Sequence, residues 1–371
     1  MRSVHSGQLE RWLGADNVER LSASMRDWYG PPIAVSGVPG SVYADRGGDF
    51  LGKIRAGYEA SALDRGREIL RRMARGYRRS SRRRDTLNAG FSSLSDLIAA
   101  ATAGQRIDFA FQKVGTTGVV ASTNSLWRVG NSPAAGAQAS VSPGGDAPTD
   151  ATTGAFPFTN PTGGDTLHFI LGAPLSSVAG NNLLLYDRIF QTRKTMNSTA
   201  TEAVTGVPSR YQSTTSTDED FAGGNFTFPE CGTALAATAH NWNVCQYTDQ
   251  AGNATQSIPS IAGNASNIIN RLDLPAGYWF MPLASNDYGL TKLTQIQCSA
   301  TVATGAIDFV IGHPIAWMPC PIANLVCLAD GINNAFNLVR IFDDAALAFL
   351  EVNKPATTAT TYNGTFLTCH G

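Results

Sequence analysis

The segment GQRIDFAFQ, residues 104–112, decides the fold of this chain. Ile107, Phe109 and Phe111 alternate with polar or small residues, which is the two-residue period of a strand with one buried face. Before Gly104 the apolar spacing is helical, and after it short apolar runs are separated by turns rich in Gly, Asn and Pro. We therefore predict a mainly β protein with a β-sandwich or jelly-roll body, preceded by an N-terminal helical, Arg-rich arm.

Further strands follow from the same reasoning. They are expected at 119–129, 166–171, 183–189, 226–228, 244–248, 296–302, 307–311 and 362–369. Residues 343–352 can form a short helix or a strand, and the strand is favoured. Turn residues at 248–253 and 303–305 predict hairpins, and 362–369 is expected to pair with 343–352. Residues 131–164 are rich in Gly, Pro, Ala and Thr and predict a long loop that covers a neighbouring chain or a rim.

A short helix is predicted just before the first strand. Ser93 and Asp96 have the spacing of a helix cap, and Gly104 is placed to end the helix. Its apolar side is expected to consist of Leu94, Leu97, Ile98 and Ala101.

The arm contains the densest positive charge, in SALDRGREILRRMARGYRRSSRRR at 61–84. Residues 46–84 hold 13 basic and 4 acidic side chains, whereas the chain after Phe91 holds 11 basic and 19 acidic ones. The net charge of −1 therefore hides a basic arm on an acidic body. We predict two domains, an arm at 1–91 and a body at 92–371, with a division of the body near 200–225 left open.

Three interpretations of the arm's arginines remain open. They are docking on acidic protein surfaces through bidentate Arg–carboxylate pairs, contact with nucleic acid, and a merely solvated helix face. Tyr77 is the one aromatic residue among these arginines, which is too few for a base-stacking surface, and the apolar face is too small for a membrane-surface helix. The candidate docking residues are Arg65, Arg67, Arg71, Arg72, Arg75, Arg78, Arg79, Arg82, Arg83 and Arg84.

A second candidate contact region is the aromatic run between Pro275 and Pro282. Tyr278, Trp279 and Phe280 follow one another there, and aromatic side chains are favoured as anchors in protein interfaces.

The sequence predicts no catalytic residue, no cofactor and no metal site. A nucleophile elbow, a P-loop and a dinucleotide fingerprint are all missing. His168, His240 and His313 lie among apolar residues and are expected in the core or at its rim. The acidic run at 218–220 lacks the ligand spacing of an EF-hand loop and is expected to be solvated.

The six cysteines form no CxxC pair and predict buried thiols. Pairing of Cys231 with Cys245, or of Cys320 with Cys327, is expected only in an oxidising exterior.

Composition favours assembly over a free monomer. Charged residues make up 15% of the chain, against about 25% in typical soluble domains. The N-terminal stretch MRSVHSGQLERWLG lacks the apolar core of a signal peptide, and no run is long enough to span a membrane, so we expect synthesis in a cytoplasm.

Three segments carry a resemblance to a known class of proteins. SLSDLIAA at 93–100, YTDQAGN at 247–253 and LVRIFDDAALAFL at 338–350 resemble structural proteins of tailed bacteriophages. The resemblance implies a virion component, assembled in the host cytoplasm, whose partners are capsid or other virion proteins and copies of itself. We expect a capsid decoration or cement protein that docks through its arm, forms a trimer and stabilises the head, without contact to a membrane.

Other functions stay open at this point. A major capsid protein with its arm facing DNA would need a long spine helix, which the pattern after Gly104 does not provide. A receptor- or glycan-binding head fibre or tail module would use the 131–164 loop and exposed aromatic residues. A glycan depolymerase would require carboxylates that converge in a groove.

Overall fold

The computed structural model of the protein describes residues 90–332 and 338–371. All helices predicted before residue 90, and the arm with its arginines, lie outside the described residues. The described part is mainly β, as predicted. In chain order it contains helix α1 (Leu94–Thr102) and strands β1 (Arg106–Val114), β2 (Asn124–Ser125), β3 (Asn131–Ser132), β4 (Leu167–Ser176), β5 (Asn181–Thr195), β6 (Glu202–Ala203), β7 (Phe226–Thr233), β8 (Asn241–Asp249), β9 (Gln256–Ser257), β10 (Ile261–Ala262), β11 (Leu290–Cys298), β12 (Ala306–Cys320), β13 (Ala329–Asp330), β14 (Arg340–Ile341), β15 (Leu347–Val352) and β16 (Thr361–His370).

These strands form three sheets through antiparallel ladders. The central sheet has the order β2-β15-β5-β12-β7. The β16 sheet has the order β13-β4-β16-β1-β3, with β14 also paired to β4. The β8 sheet has the order β10-β8-β11-β6, with β9 also paired to β8. Neighbouring strands are mostly distant in sequence, so the sheets are held together by long-range pairing.

The central sheet is buried on both faces. In β5, Leu183 and Leu185 enter a hydrophobic core shared with the β16 sheet. Leu184 and Tyr186, on the opposite face, enter a second core shared with the β8 sheet. A strand buried on both faces reads as a continuous apolar run instead of an alternating one. Each fully buried leucine of this kind contributes about 2 kcal/mol of hydrophobic stabilisation.

Helix α1 forms as predicted. The Ser93 hydroxyl caps it by accepting the backbone N–H of Asp96 at 3.1 Å, and Gly104 follows the helix with a φ of +91°. Its predicted apolar side is only partly right. Leu97 is buried against Cys369, with Ala100 beside it, whereas Leu94 and Ile98 are exposed.

Most predicted strands are confirmed, and most extend beyond their predicted ends. The segments at 107–112, 166–171, 183–189, 226–228, 244–248 and 307–311 fall within or largely within β1, β4, β5, β7, β8 and β12, and 296–302 overlaps the end of β11. The strand predicted at 119–129 is wrong except for the two residues of β2. Ala121 has a φ of +62°, and its N–H donates to the Lys354 carbonyl, so the chain turns there instead of extending.

The predicted turns had mixed outcomes. The hairpin at 248–253 is confirmed, because β9 folds back on β8 with Gln246 opposite Ser257. The hairpin at 303–305 is wrong, because β11 pairs with β8 while β12 pairs with β5 and β7, so this turn joins two sheets. Strands do occur at 347–352 and 361–370, but β15 and β16 belong to different sheets and are not hairpin partners.

Residues 131–164 form a loop with little regular structure, as predicted. At 140–146 the loop packs on its own chain. There the N–H of Ser142 donates to the Arg193 carbonyl at 2.9 Å, and the N–H of Asp146 donates to the Gln191 carbonyl at 2.8 Å. β15 pairs only with residues 182–187 of β5, so Gln191 and Arg193 are free on that side to pair with the loop. The loop thereby continues the central sheet.

Candidate interaction surfaces

The predicted aromatic anchors lie in the long connection between β10 and β11. Backbone hydrogen bonds fix this connection beside β7: Met281 N–H donates to the Thr227 carbonyl, and Gly277 N–H donates to the Ala121 carbonyl, both at 2.8 Å. The Trp279 ring meets Phe226 edge-on, with 5.0 Å between centroids, and therefore rests on the hydrophobic core. The aromatic run is thus held rigidly at the surface.

The side chains of this run are exposed to different extents. Tyr278 is 46% exposed, while Trp279 and Phe280 are half-buried against the core. Trp279 also contacts Trp317 of β12, which is itself 46% exposed, with 5.3 Å between ring centroids. Two exposed aromatic side chains therefore adjoin the half-buried Trp279: Tyr278 precedes it in sequence and Trp317 contacts its ring.

A larger apolar surface follows β12. Ile322, Leu325, Val326, Leu328 and Ile332 are each between 40% and 60% exposed, and we call the segment 322–332 the apolar edge. It runs along β4, where three backbone N–H groups donate to β4 carbonyls at 2.7 to 3.3 Å. The donor–acceptor pairs are Asn324 to Ser176, Cys327 to Pro174 and Gly331 to Ile170. Exposed apolar side chains in such number mark an interaction surface on a folded protein.

Sequence reasoning missed the apolar edge. The signal was present in IANLVCLADGI at 322–332, where large apolar residues recur without a strand or helix period. Such a run gives no indication of burial or exposure, because either outcome depends on which neighbours the fold supplies.

Two arginines inside the body are paired with buried carboxylates. Asp187 accepts two hydrogen bonds from Arg210, at 2.7 and 2.8 Å, and Glu230 accepts two from Arg188, both at 3.0 Å. Burial raises the pKa of Asp187, and the Arg210 charge opposes this. Arg188 also lies 4.9 Å from the centroid of the Trp127 ring. Bidentate pairing of this kind compensates each buried charge with an opposite one.

The histidines lie where the sequence predicted. His168 and His240 are buried, and His313 is half-buried, with its ring stacked 3.8 Å from that of Tyr211. Burial lowers the pKa of His168 to about 4 and that of His313 to about 3. His168 and His313 are therefore neutral imidazoles near neutral pH.

Asp273 is the centre of a buried polar network. Its Oδ2 accepts a hydrogen bond from the Trp242 indole at 2.9 Å and lies 2.8 Å from His240 Nε2. Its Oδ1 accepts hydrogen bonds from the Asn264 N–H and the Asn267 amide, at 2.7 and 3.0 Å. All of these groups bind to Asp273, so the network links the start of β8 to the connection between β10 and β11.

The acidic run at 218–220 makes ordinary structural contacts. Asp218 accepts a hydrogen bond from the Ser213 hydroxyl at 2.6 Å, and Glu219 forms an ion pair with Arg340. Across residues 90–332 and 338–371, no three His, Cys, Asp or Glu side chains are grouped so that they could hold a metal ion.

The cysteines of the body are free. Cys327 is half-buried and the other five are buried, so neither of the pairings considered above is present.

The ten candidate docking arginines all precede residue 90 and lie outside the described residues. Within the described part of the chain, no helix is both long and apolar enough to cross a membrane.

Comparison with known proteins supplies no identity. No protein-family model matches the chain, and searches of curated proteins and of solved structures give no significant match.

Proposed function

We propose that this chain is a structural component of a bacteriophage particle, most specifically a capsid decoration or cement protein. In this proposal the body belongs to the β-sandwich or jelly-roll class and associates with copies of itself as a trimer. The Arg-rich arm at 1–91 docks on capsid or other virion proteins, and assembly takes place in the host cytoplasm. The observation that carries the proposal is the apolar edge, a hydrogen-bonded segment at the side of a sheet whose large side chains face water.

The apolar edge favours a copy of the same chain as its partner. It lies outside β4 at the side of the β16 sheet, where another segment can be added. Soluble assemblies are mostly symmetric homo-oligomers. In a closed ring of identical subunits, the interaction surface of every copy is covered by another copy. Its side chains are aliphatic, so burial against a copy would stabilise the assembly mainly through the hydrophobic effect.

The paired charges of the interior fit a mechanical role. A decoration protein must remain folded and bound while it opposes internal pressure, and it needs no reactive group. Because many copies bind one particle, weak individual contacts add up to a large stabilisation of the shell.

Self-association can be tested by light scattering of the full chain over a range of concentrations. We expect an oligomer for the unchanged chain and a shift to monomer for Leu328→Asp, which places a charge within the apolar edge. Ala254→Asp is the matched control, because it adds the same charge at an exposed site in the β8–β9 connection. An unchanged chain that stays monomeric, or a Leu328→Asp variant that still associates, would contradict the proposal.

Docking through the arm can be separated from contact with nucleic acid by two full-length variants. Both change Arg78, Arg79, Arg82, Arg83 and Arg84, one set to Gln and the other to Lys. Bidentate docking on carboxylates needs guanidinium groups, so both variants should bind emptied capsids weakly. If the Lys variant binds DNA as the unchanged chain does, with affinity that falls steeply in salt, the arm contacts nucleic acid instead.

A second candidate function is glycan binding by a fibre or tail module. The observation that favours it is the exposed pair Tyr278 and Trp317 on a rigid support. Quenching of tryptophan fluorescence by host surface polysaccharide, abolished in Trp317→Ala, would support this function over decoration. No quenching at any polysaccharide concentration would remove it.

A further inference from the structure

A buried amine and a buried side-chain amide meet on one buried carboxylate at the edge of the central sheet. Lys354 Nζ donates to Glu351 Oε1 at 3.1 Å, and Asn124 Nδ2 donates to Glu351 Oε2 at 2.8 Å. Glu351 and Lys354 are completely buried, and so is Asn124. An amine and a side-chain amide are therefore held on the two oxygens of the same carboxylate, shielded from water.

The fold brings these groups together from distant parts of the sequence. Asn124 of β2 is the direct cross-strand partner of Glu351 of β15, so their side chains share one face of the sheet. Lys354 follows the end of β15, and its backbone N–H donates to the Ser122 carbonyl at 2.8 Å. Backbone pairing on both sides of Asn124 thus fixes the positions of the three side chains.

The groups around the carboxylate are polar and fully buried. The Tyr362 hydroxyl donates to Glu351 Oε1 at 2.8 Å, and Lys354 Nζ also donates to the Thr360 hydroxyl at 3.3 Å. Burial, together with the Glu351 charge, raises the pKa of the Tyr362 phenol well above its usual range. The Oδ1 atom of Asn124 is buried without a hydrogen-bond partner. An amide in this state has an unsatisfied carbonyl oxygen, and its burial shields it from bulk water.

Other buried lysines among the described residues have different partners. Lys194 Nζ donates to Glu202 at 2.6 Å and to a backbone carbonyl. Lys113 Nζ donates to the carbonyls of Val129 and Pro133, at 2.8 and 2.6 Å. These contacts are those of structural lysines. Lys354 differs because its carboxylate also holds an amide that can be attacked.

We propose that Lys354 and Asn124 form an intramolecular isopeptide bond, with Glu351 as the catalytic residue that transfers the proton. The Glu351 carboxylate takes a proton from the Lys354 ammonium, and the free amine attacks Cγ of Asn124. A new bond joins Lys354 Nζ to this carbon, and the bond from the carbon to Nδ2 breaks. Glu351 passes this proton to the departing nitrogen, which leaves as ammonia. The carboxylate then takes up the second proton that the attacking nitrogen loses, so Glu351 ends protonated and the new amide is neutral. Atoms and charges balance without an oxidant, a reductant or a cofactor.

The bond would secure the weakest strand of the central sheet. β2 is only two residues long and pairs with β15 at the outer side of that sheet. A covalent link from β2 to the chain beyond β15 closes a loop over most of the described body, and long covalent loops restrict the unfolded chain most strongly. The reaction needs only the folded chain, so it stands apart from the proposed role in a particle.

The full-length chain, purified and then denatured, gives the deciding measurement by mass spectrometry. We expect an intact mass lower than that of the sequence by one ammonia, and after digestion a branched peptide that joins the Asn124 and Lys354 segments. Succinimide formation at Asn363-Gly364 would cause the same loss of mass but no branched peptide. A folded chain in which Asn124 and Lys354 occur in separate peptides overturns the proposal.

Variants identify the participating groups. Asn124→Ala removes the attacked amide but keeps the Lys354–Glu351 ion pair, so it should fold and retain the full mass. Glu351→Gln cannot take up the proton and should also retain the full mass. Asn353→Gly is the matched control, because it removes a neighbouring amide at a position where φ is +51°, and it should still lose ammonia. A branched peptide in Asn124→Ala would show that another amide reacts and would overturn the assignment.

Discussion

Strand β15 and the apolar edge are similar in composition but differ completely in exposure. The residues of β15, LAFLEV at 347–352, are between 0% and 3% exposed. The large apolar residues of the apolar edge are between 40% and 60% exposed. Both segments are close in sequence and both are hydrogen-bonded to a neighbouring strand.

Their neighbours explain the difference. β15 pairs with β5 on one side and with β2 on the other, and it contributes side chains to both hydrophobic cores. The apolar edge pairs with β4 on one side and is not covered by another segment of the described body. Apolar composition sets how much free energy burial can release. The topology decides whether that burial stabilises the fold of the chain itself or its association with a partner. β15 therefore stabilises the fold, and the apolar edge is available for assembly.

The largest effect is expected from Phe349→Ala in β15. The Phe349 ring contacts Phe111, Phe156 and Phe366, with centroid distances of 4.7 to 6.1 Å, so truncation leaves a cavity in a packed core. We expect a loss of about 3–5 kcal/mol in the free energy of unfolding, measured by urea denaturation. Leu328→Ala in the apolar edge is the control and should change it by less than about 0.5 kcal/mol. Equal losses in both variants would mean that the apolar edge is covered within the chain.

The next effect is a loss of stability in acid caused by His168. Burial lowers its pKa in the folded protein to about 4, whereas the unfolded chain takes up the proton near its ordinary pKa of about 6.5. Stability should therefore fall as the pH decreases from about 6.5 to about 4, by about 3 kcal/mol. Urea unfolding at several pH values measures this, and His168→Gln should remove that part of the slope. The same acid loss in His168→Gln as in the unchanged chain would exclude His168 as its source.

A smaller effect of opposite sign is expected from His240. Its Nε2 lies 2.8 Å from Asp273 Oδ2 and its Nδ1 lies 3.1 Å from the Thr238 carbonyl, so both nitrogens face acceptors and both need a proton. Burial lowers the pKa of His240, but the hydrogen bond and charge of Asp273 outweigh burial, so the pKa is raised. This stabilisation is complete below the ordinary pKa and is lost as the pH rises through the raised value. Unfolding measured from neutral to alkaline pH should show the loss, and His240→Gln should not.

Local patterns in the sequence were sufficient for the elements of the fold. The alternation in 107–112 predicted β1, and the Ser93–Asp96 spacing predicted the cap of α1, because both depend on residues that are near neighbours. The predicted positions of the histidines were also correct, since an imidazole among apolar residues is usually buried.

Long-range pairing could not be predicted in the same way. Whether β16 pairs with β15 or with β1 and β4 depends on contacts between distant segments, and the local hairpin pattern favoured the wrong partner. Asn124 and Glu351 face each other only because β2 and β15 are adjacent, and no spacing in the sequence indicates that. The apolar edge escaped prediction for the same reason, because its exposure follows from the absence of a second neighbour.

The double variant Leu325→Ser, Leu328→Ser is expected to have the smallest effect on folding. It is also the most informative variant for assembly. Both side chains are more than half exposed, so the double substitution should change the free energy of unfolding of the dilute chain by less than about 0.5 kcal/mol. If copies associate through the apolar edge, the urea midpoint of the unchanged chain must rise with protein concentration, because association stabilises only the folded form. In the double variant this dependence should vanish while the dilute midpoint stays the same. If the urea midpoint of the unchanged chain does not depend on protein concentration, the apolar edge binds a partner other than this chain. Its exposure, in contrast to the burial of β15, would then reflect assembly with that partner.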